Sequence, residues 1–338
     1  MIDRASLATA FLAKTDWHDA AIGPLAGDAS NRRYERLFSP GLPNAVLMDA
    51  PPEKGEDTRP FVKIATHLTD IGLSAPRIYA QDATNGFLLI EDLGDDLFAR
   101  VAAQDPSREG ALYEAAADAL IAAQTAAPPP ELAEYGVQAM AETALLLPDW
   151  YLKHGTGTPI PAAARDAFST LVTATLDANI GPDRVLVQRD YHAENLLWLP
   201  ERDGPARVGL LDFQDAMIGP PAYDLASLLR DARRDVSAAV QEATLAHFIA
   251  KTGTDEAQFK ASYAACSAQR NMRILGVFAR LCVRDGKAHY PDLMPRVWDN
   301  LQRDLAHPAL AELAAWIAAN VPPPTPALIA RIKAARHE

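Results

Sequence analysis

The sequence predicts an α+β chain in two lobes, a small β-rich N-terminal lobe over residues 1–92 and a large helical C-terminal lobe over 93–338. Three observations predict it. Short apolar runs broken by Gly, Pro and Asn crowd the chain as far as residue 92. Beyond residue 96 the chain is rich in alanine and reads almost throughout as helix. Within that helical part stand two short apolar runs, 185–198 and 208–215, each bearing acids where the apolar stretch ends.

Taken in order, residues 3–15 read as a short helix, and 23–27, 34–38 and 45–50 as three strands separated by turn residues. Between the first two strands lies G-D-A-S-N-R-R-Y-E-R, residues 27–36. Small Ala29 and Ser30, with Asn31 and the cations Arg32 and Arg33, let backbone N–H groups approach a phosphate. An ordinary hairpin turn is the competing reading. A helix follows over 58–72, with Phe61, Ala65 and Leu68 on one face and Asp57 or Thr58 as N-cap. Strands over 77–81 and 86–91 turn at Asn85-Gly86. The acidic E-D-L-G-D-D, residues 91–96, closes the strand-rich part. Helices are then expected over 105–126, ending before Pro128-Pro129-Pro130, and over 137–153 and 160–178. Downstream they are expected over 222–234, 238–251, 255–284, 293–305, 308–319 and 325–337.

The two central runs read V-L-V-Q-R-D-Y-H-A-E-N-L-L-W and V-G-L-L-D-F-Q-D. A polar connection over 200–207 makes them a β-hairpin-like pair. They set Asp190, then Asn195 five residues on, then Asp212. Phosphoryl transfer needs such a set: one carboxylate orients and deprotonates the attacking hydroxyl, while an Asn and a second carboxylate hold Mg²⁺ against the phosphates of ATP. Capping of turns by Asp and Asn is the competing reading.

Composition narrows the partners. The formal net charge is −12, from 44 acidic against 32 basic residues. Such a balance disfavours nucleic acid and anionic membranes, both of which attract basic patches. Cys266 and Cys282 are too few for a disulfide framework or a Cys-based zinc site. An early Asp3 and the lack of a long apolar core argue against a signal peptide, and no apolar stretch is long enough for a bilayer. The expectation is a soluble cytoplasmic protein.

Protein kinases carry H-R-D-x-x-x-x-N followed by D-F-G, and Q-R-D-Y-H-A-E-N and D-F-Q match that order here. Over nearly its full length the chain resembles the aminoglycoside phosphotransferase and choline kinase superfamily, relatives of those kinases. Within it, L-A-G-D-A-S-N-R-R-Y, L-M-D-A-P-P, F-L-L-I-E-D-L-G and L-D-F-Q-D-A-x-I-G-P-P-A-Y-D-L-A are similar to bacterial N-acetylmuramate/N-acetylglucosamine anomeric kinases. The resemblance implies a bilobal protein-kinase-like fold and an ATP- and Mg²⁺-dependent kinase. It also implies phosphorylation of the C1 hydroxyl of cell-wall amino sugars during peptidoglycan recycling. Asp190 takes the catalytic role, with Asn195 and Asp212 at the metal. Glu91 and Leu93 flank the hinge that meets adenine, and His192 positions the loop. Asp224 matches the Asp that braces the catalytic loop, with N-cap duty as its competing reading.

Two departures stand out. Gln188 replaces the first His of the usual H-x-D pattern, and A-V-L-M-D-A offers no Lys where kinases hold the α- and β-phosphates. The helix after it offers no obvious Glu to pair with one. Arg32, Arg33 and Lys63 are the cations left for the task. The segment after Asp212 runs quickly to G-P-P-A-Y-D, too short for an activation segment, which suits a small acceptor. For that acceptor the sequence offers Glu142, Trp150, Tyr151, Gln214 and Asp215, with core packing of both aromatics as the competing reading. A kinase for an aminoglycoside, a choline-like amine or homoserine, and a nucleotide-binding pseudokinase, are the alternatives.

Overall fold

The computed structural model describes residues 3–25 and 31–337. In chain order its elements are α1 (Arg4–Leu12), β1 (Ala21–Pro24), β2 (Arg33–Phe38), β3 (Ala45–Asp49), α2 (Arg59–Asp70), β4 (Ile78–Asp82), β5 (Phe87–Glu91), α3 (Phe98–Gln104), α4 (Glu109–Thr125), α5 (Val137–Ala144), α6 (Lys153–Thr156) and α7 (Ala162–Asn179). There follow β6 (Val185–Val187), β7 (Leu196–Trp198), β8 (Val208–Leu210), β9 (Met217–Gly219), α8 (Ala222–Leu229), α9 (Ala238–Thr252), α10 (Glu256–Val283), α11 (Met294–Leu305), α12 (Ala311–Asn320) and α13 (Pro326–Ala334). Packing divides them into two compact units. The β-rich unit comprises Met1–Arg108 and Glu194–Ala216, and the helical unit comprises Glu109–Ala193 and Met217–Glu338.

The β-rich unit is built on an antiparallel sheet in the order β1-β2-β3-β5-β4. Alternation along β3 and β5 sends Ala45, Leu47, Phe87 and Leu89 to one face, where Phe11, Leu12 and Trp17 cover them. Val46, Met48, Leu88 and Ile90 are buried as well, so both strands are apolar on both faces and read as unbroken runs. Helix α2 buries Phe61, Ile64, Ala65 and Leu68, and Phe61 packs on Phe213 with centroids 4.9 Å apart. Asp57 Oδ1 accepts from the Arg59 N–H at the start of α2, while Thr58 occupies the N-cap without a side-chain bond.

The β7–β8 hairpin belongs to this unit. Ser74 bridges to Gly209 in parallel, and the Leu210 N–H donates to the Ser74 carbonyl at 2.9 Å. Glycine at 209 is required by space: a Cβ there would lie 2.9 Å from the Leu197 Cβ.

In the helical unit α10 is the central element and packs against α5, α7, α8 and α11. It also packs on a π-helical turn at Leu147–Leu152. The approach to that turn is close enough to exclude any side chain. A Cβ on Gly276 would fall 2.2 Å from the Leu146 carbonyl carbon.

Several expectations need correction. The two central runs do not pair as one hairpin. β7 pairs with β8, as the 200–207 connection implied, but β6 pairs with β9, a short strand the sequence reading missed. The helix expected over 222–234 ends at Leu229, because Asp231 turns the chain by accepting from the Arg233 N–H. The helix expected over 137–153 is broken into α5, the π turn and α6. α3 was not anticipated. The β-rich unit also runs on past residue 92, taking in α3 and the β7–β8 hairpin.

Gly276→Ala is therefore expected to destabilise the chain by about 1–3 kcal/mol or more, the usual penalty of forcing a methyl into a filled core. Denaturant unfolding of the variant against the parent checks this.

Candidate functional site

In the helical unit, strand β6 delivers the chain to Gln188 and Arg189. Both of their backbone N–H groups point at one carboxylate. Asp224 Oδ2 accepts from Gln188 at 2.6 Å and Oδ1 from Arg189 at 2.9 Å. Asp224 lies in the first turn of α8 and is fully buried; Pro221 holds the N-cap position, so Asp224 is a brace for the loop and not a cap. Burial pushes its carboxyl up to about 7, against the opposing pull of the two N–H donors. The Ser227 hydroxyl adds a 3.4 Å bond to the Arg189 carbonyl. Arg189 is held at a φ of 72°, a left-handed conformation that few non-glycine residues adopt. Gln188, where the superfamily pattern has His, is 3% exposed, so its side chain is a packing element.

Asp190 follows and is half-buried. Behind it Tyr191 is enclosed and donates to the Ala116 carbonyl at 2.7 Å. His192 is buried with Nε2 3.1 Å from Arg233 Nη1; a guanidinium only donates, so Nε2 accepts. Burial pushes the imidazole down to about 4, with Asp231 pulling against it. The ring is neutral at pH 7 and lies inside the protein.

In the β-rich unit, Asn195 precedes β7 and Asp212 follows β8. The Leu211 N–H donates to the Asn195 carbonyl at 3.0 Å, which draws the two together at one end of the hairpin. Asn195 Nδ2 lies 3.3 Å from Asp212 Oδ2, and Gln214 Nε2 donates to Asp212 Oδ1 at 2.7 Å. Asp212 is left-handed too, at a φ of 57°, while Phe213 next to it is fully buried. Such a backbone persists only where the surroundings over-determine it, as buried Phe213 does here.

The other sequence candidates fall as follows. Ser30 lies outside the described residues. The Asn31 N–H donates to Glu56 Oε1 at 3.1 Å, and Arg32 Nε lies 3.0 Å from Glu56 Oε2. Arg33 opens β2 and is exposed. Lys63 sits half-buried in α2, and among the described residues no carboxylate lies within 4.0 Å of it. Met48 occupies the inner face of β3. Glu91 ends β5, its side chain 2.6 Å from Arg202 Nη2, and Leu93 is buried.

In the helical unit Glu142 is exposed and accepts from Gln138 at 2.9 Å, and Trp150 is half-buried, stacked on His154 with centroids 5.5 Å apart. Tyr151 is fully enclosed and its hydroxyl donates to the Pro322 carbonyl at 2.8 Å. Enclosure leaves it no face for a sugar, and the stacking role expected of it is withdrawn. In the β-rich unit the Gln214 amide N–H is committed to Asp212, and Asp215 is exposed. Sequence reading missed Arg270 and Arg273. They lie three apart on α10 among polar as well as apolar neighbours, Ser267, Gln269 and Asn271 included, so nothing in the local pattern marked them and only their burial does.

The fold matches known phosphotransferases. The chain superposes on a choline/ethanolamine kinase family protein from Mesorhizobium loti with a TM-score of 0.62 at 15% identity, covering 98% of this chain and 100% of the other. It superposes on the streptomycin-ATP-APH(2")-IIa ternary complex with a TM-score of 0.56 at 14% identity, over 81% and 91%. Residues 21–260 match the phosphotransferase enzyme family, and the chain belongs to that family. Among its relatives, an N-acetylmuramate/N-acetylglucosamine kinase of Caulobacter vibrioides is 40% identical, over 95% of this chain and 97% of the relative. One of Pseudomonas aeruginosa is 37% identical, over 88% of each.

A pH signature follows from Asp224. Its folded pKa is raised, so between the unfolded value of 3.8 and about 7 the folded chain binds the extra proton. Stability from this group is full below 3.8, falls as pH rises towards 7 and is flat above. In Asp224→Asn that component is absent. The stability of the parent minus that of the variant should therefore decline from pH 4 to 7; a difference independent of pH counts against the assignment.

Proposed function

We propose that the chain is an ATP-dependent kinase transferring the γ-phosphoryl group to the C1 hydroxyl of N-acetylmuramate and N-acetylglucosamine. In this reading it is a cytoplasmic enzyme of peptidoglycan recycling. The observation that carries the reading is the Asn195–Asp212 contact at 3.3 Å, with Asp212 left-handed at the hairpin end. The identity to kinases of those sugars supports the choice of acceptor.

Asp190 orients the C1 hydroxyl and takes its proton as the oxygen attacks phosphorus and ADP departs. Asp212 and Asn195 suit Mg²⁺, a hard cation commonly held by one or two carboxylates together with phosphate oxygens and water. The Asn195 nitrogen faces the carboxylate, so the amide oxygen is the donor it would give the metal. When bound, Mg²⁺ neutralises phosphate charge. The β-rich unit holds the nucleotide, with Ser30, Asn31, Arg32 and Arg33 the candidates for its phosphates and the backbone near Glu91 and Leu93 for its base. Lys63 is the favoured substitute for the missing β3 lysine, because Arg32 is already compensated by Glu56. In the helical unit Trp150 and Glu142 are the acceptor contacts of this reading, and Gln214 and Asp215 are its further acceptor candidates in the β-rich unit.

Turnover with Mg-ATP and each sugar, followed by a reducing-end assay on the purified product, tests the reading. A C1 phosphate blocks the reducing end and is acid-labile. A product that still reduces puts the phosphate elsewhere, and ATP binding without turnover of any sugar indicates a nucleotide-binding module. Asp190→Ala should lower kcat by about 10²–10⁴ and leave ATP binding close to that of the parent; near-parental turnover removes Asp190 from the role.

A further inference from the structure

The helical unit buries two arginines that no carboxylate neutralises at contact. Arg270 is 2% exposed and Arg273 is half-buried, three residues apart on α10. Among the described residues no carboxylate lies within 4.0 Å of either guanidinium, and the Nε of each is buried without a hydrogen-bond partner. The one bond to Arg270 is long, from Nη1 to the Arg230 carbonyl at 3.4 Å. Unpaired buried charge is costly, and a fold that retains it needs a reason.

Their surroundings supply the reason. Arg273 feels Tyr223, Tyr135 and Asp190, with Tyr223 also close enough to act as a hydrogen-bond partner; Arg270 feels Tyr223, Asp190 and Asp231, and is repelled by Arg273. Tyr135 and Tyr223 meet edge to face at 5.1 Å, and Arg189 lies over the Tyr135 ring at 5.3 Å. The two cations thus share one polar cluster with the loop that carries Asp190. Arg270 is sealed in, whereas Arg273 retains some exposed surface. Charge in such a place suits an anionic group on the acceptor, and the two proposed sugars differ in one. N-acetylmuramate bears a lactyl carboxylate on C3, two ring carbons from C1, whereas N-acetylglucosamine has a plain hydroxyl there.

We propose that Arg273, backed by Arg270, binds the lactyl carboxylate of N-acetylmuramate and so sets the preference between the two sugars. The proposal rests on the function proposed above. A planar guanidinium matches a carboxylate with parallel N–H donors, which favours Arg over Lys at this position. The neutral sugar uses the same pocket without that contact.

The measurement is the ratio of kcat/KM for N-acetylmuramate to that for N-acetylglucosamine. Any effect of Arg273 on Asp190 or on folding weighs on both sugars and cancels in the ratio. Arg273→Gln should lower the ratio about ten- to hundredfold, the value of a hydrogen bond to a charged group. Arg273→Lys should recover part of it. The methyl ester of N-acetylmuramate closes a cycle: with the parent enzyme it should lose about as much as the variant does, and with Arg273→Gln esterification should cost nothing more. An unchanged ratio in Arg273→Gln overturns the proposal. So does a parent enzyme that turns over ester and acid equally well, a result that needs no variant to fold. A parent that phosphorylates neither sugar defeats the function proposed above, and is told apart from both outcomes.

Discussion

The loop that carries Asp190 hangs on one carboxylate. Asp224, buried without access to water, accepts the backbone N–H groups of Gln188 and Arg189 and so fixes the chain immediately before Asp190. Burying that carboxylate is costly, and two short bonds to it offset the cost only because β6 and β9 bring the donors into line. The arrangement is compact in sequence. β9 pairs with β6 and leads through Pro220 and Pro221 into α8, so the strand that aligns the loop and the helix that grips it are nearly continuous. A long segment after Asp212 has no place in this geometry, which agrees with a small acceptor.

The β-rich unit solves the same problem by other means. Asn195 and Asp212 stand at the end of a hairpin, where the Leu211 N–H to the Asn195 carbonyl sets their spacing. Asp212 takes a left-handed backbone, as Arg189 does ahead of Asp190 in the helical unit. Both are non-glycine residues in a sparsely populated region, and both adjoin a carboxylate or are one. Such strain persists only where the surroundings over-determine it. Around Asp212 that support is Phe213, buried against Phe61 of α2; around Arg189 it is Asp224.

What could be read from the sequence divides along the same physical lines. Order and spacing are local properties, so Asp190, Asn195 and Asp212 stood out, as did the strand–helix–strand order of the first ninety-two residues. Pairing partners are not local. An apolar V-L-V run carries no mark of which strand it meets, and M-I-G is too short to announce itself, so β6 was matched with the wrong segment. The alanine-rich stretches were overextended because propensity continues where tertiary contacts stop a helix: residues 230–234 leave α8 to serve Asp231, His192 and Glu109. Aromatic pattern could not separate Trp150, half-buried, from Tyr151, entirely enclosed. Arg270 and Arg273 were passed over because charge on a long helix is normally solvated, and only burial shows that these are not.

Charge placement joins the two units into one argument. The nucleotide is an anion and one proposed acceptor is another, yet the chain carries a formal net charge of −12. Screening over about 8 Å at physiological ionic strength makes the distant acids nearly irrelevant, and local cations decide binding. Many of those cations already face a carboxylate. In the β-rich unit Arg32 meets Glu56, Arg36 meets Asp92 and Asp95, and Arg202 meets Glu91. In the helical unit Arg184 meets Glu134, Arg230 meets Asp304, Arg234 meets Glu109 and Arg296 meets Asp235. Among the described residues the half-buried or buried exceptions include Lys63 in one unit and the Arg270–Arg273 pair in the other. A cation paired inside the protein must break a bond before it can hold a ligand, whereas one left unpaired under partial burial gains by holding it. In each unit these exceptions are the cations still open to the negative charge that the proposed ligand would bring.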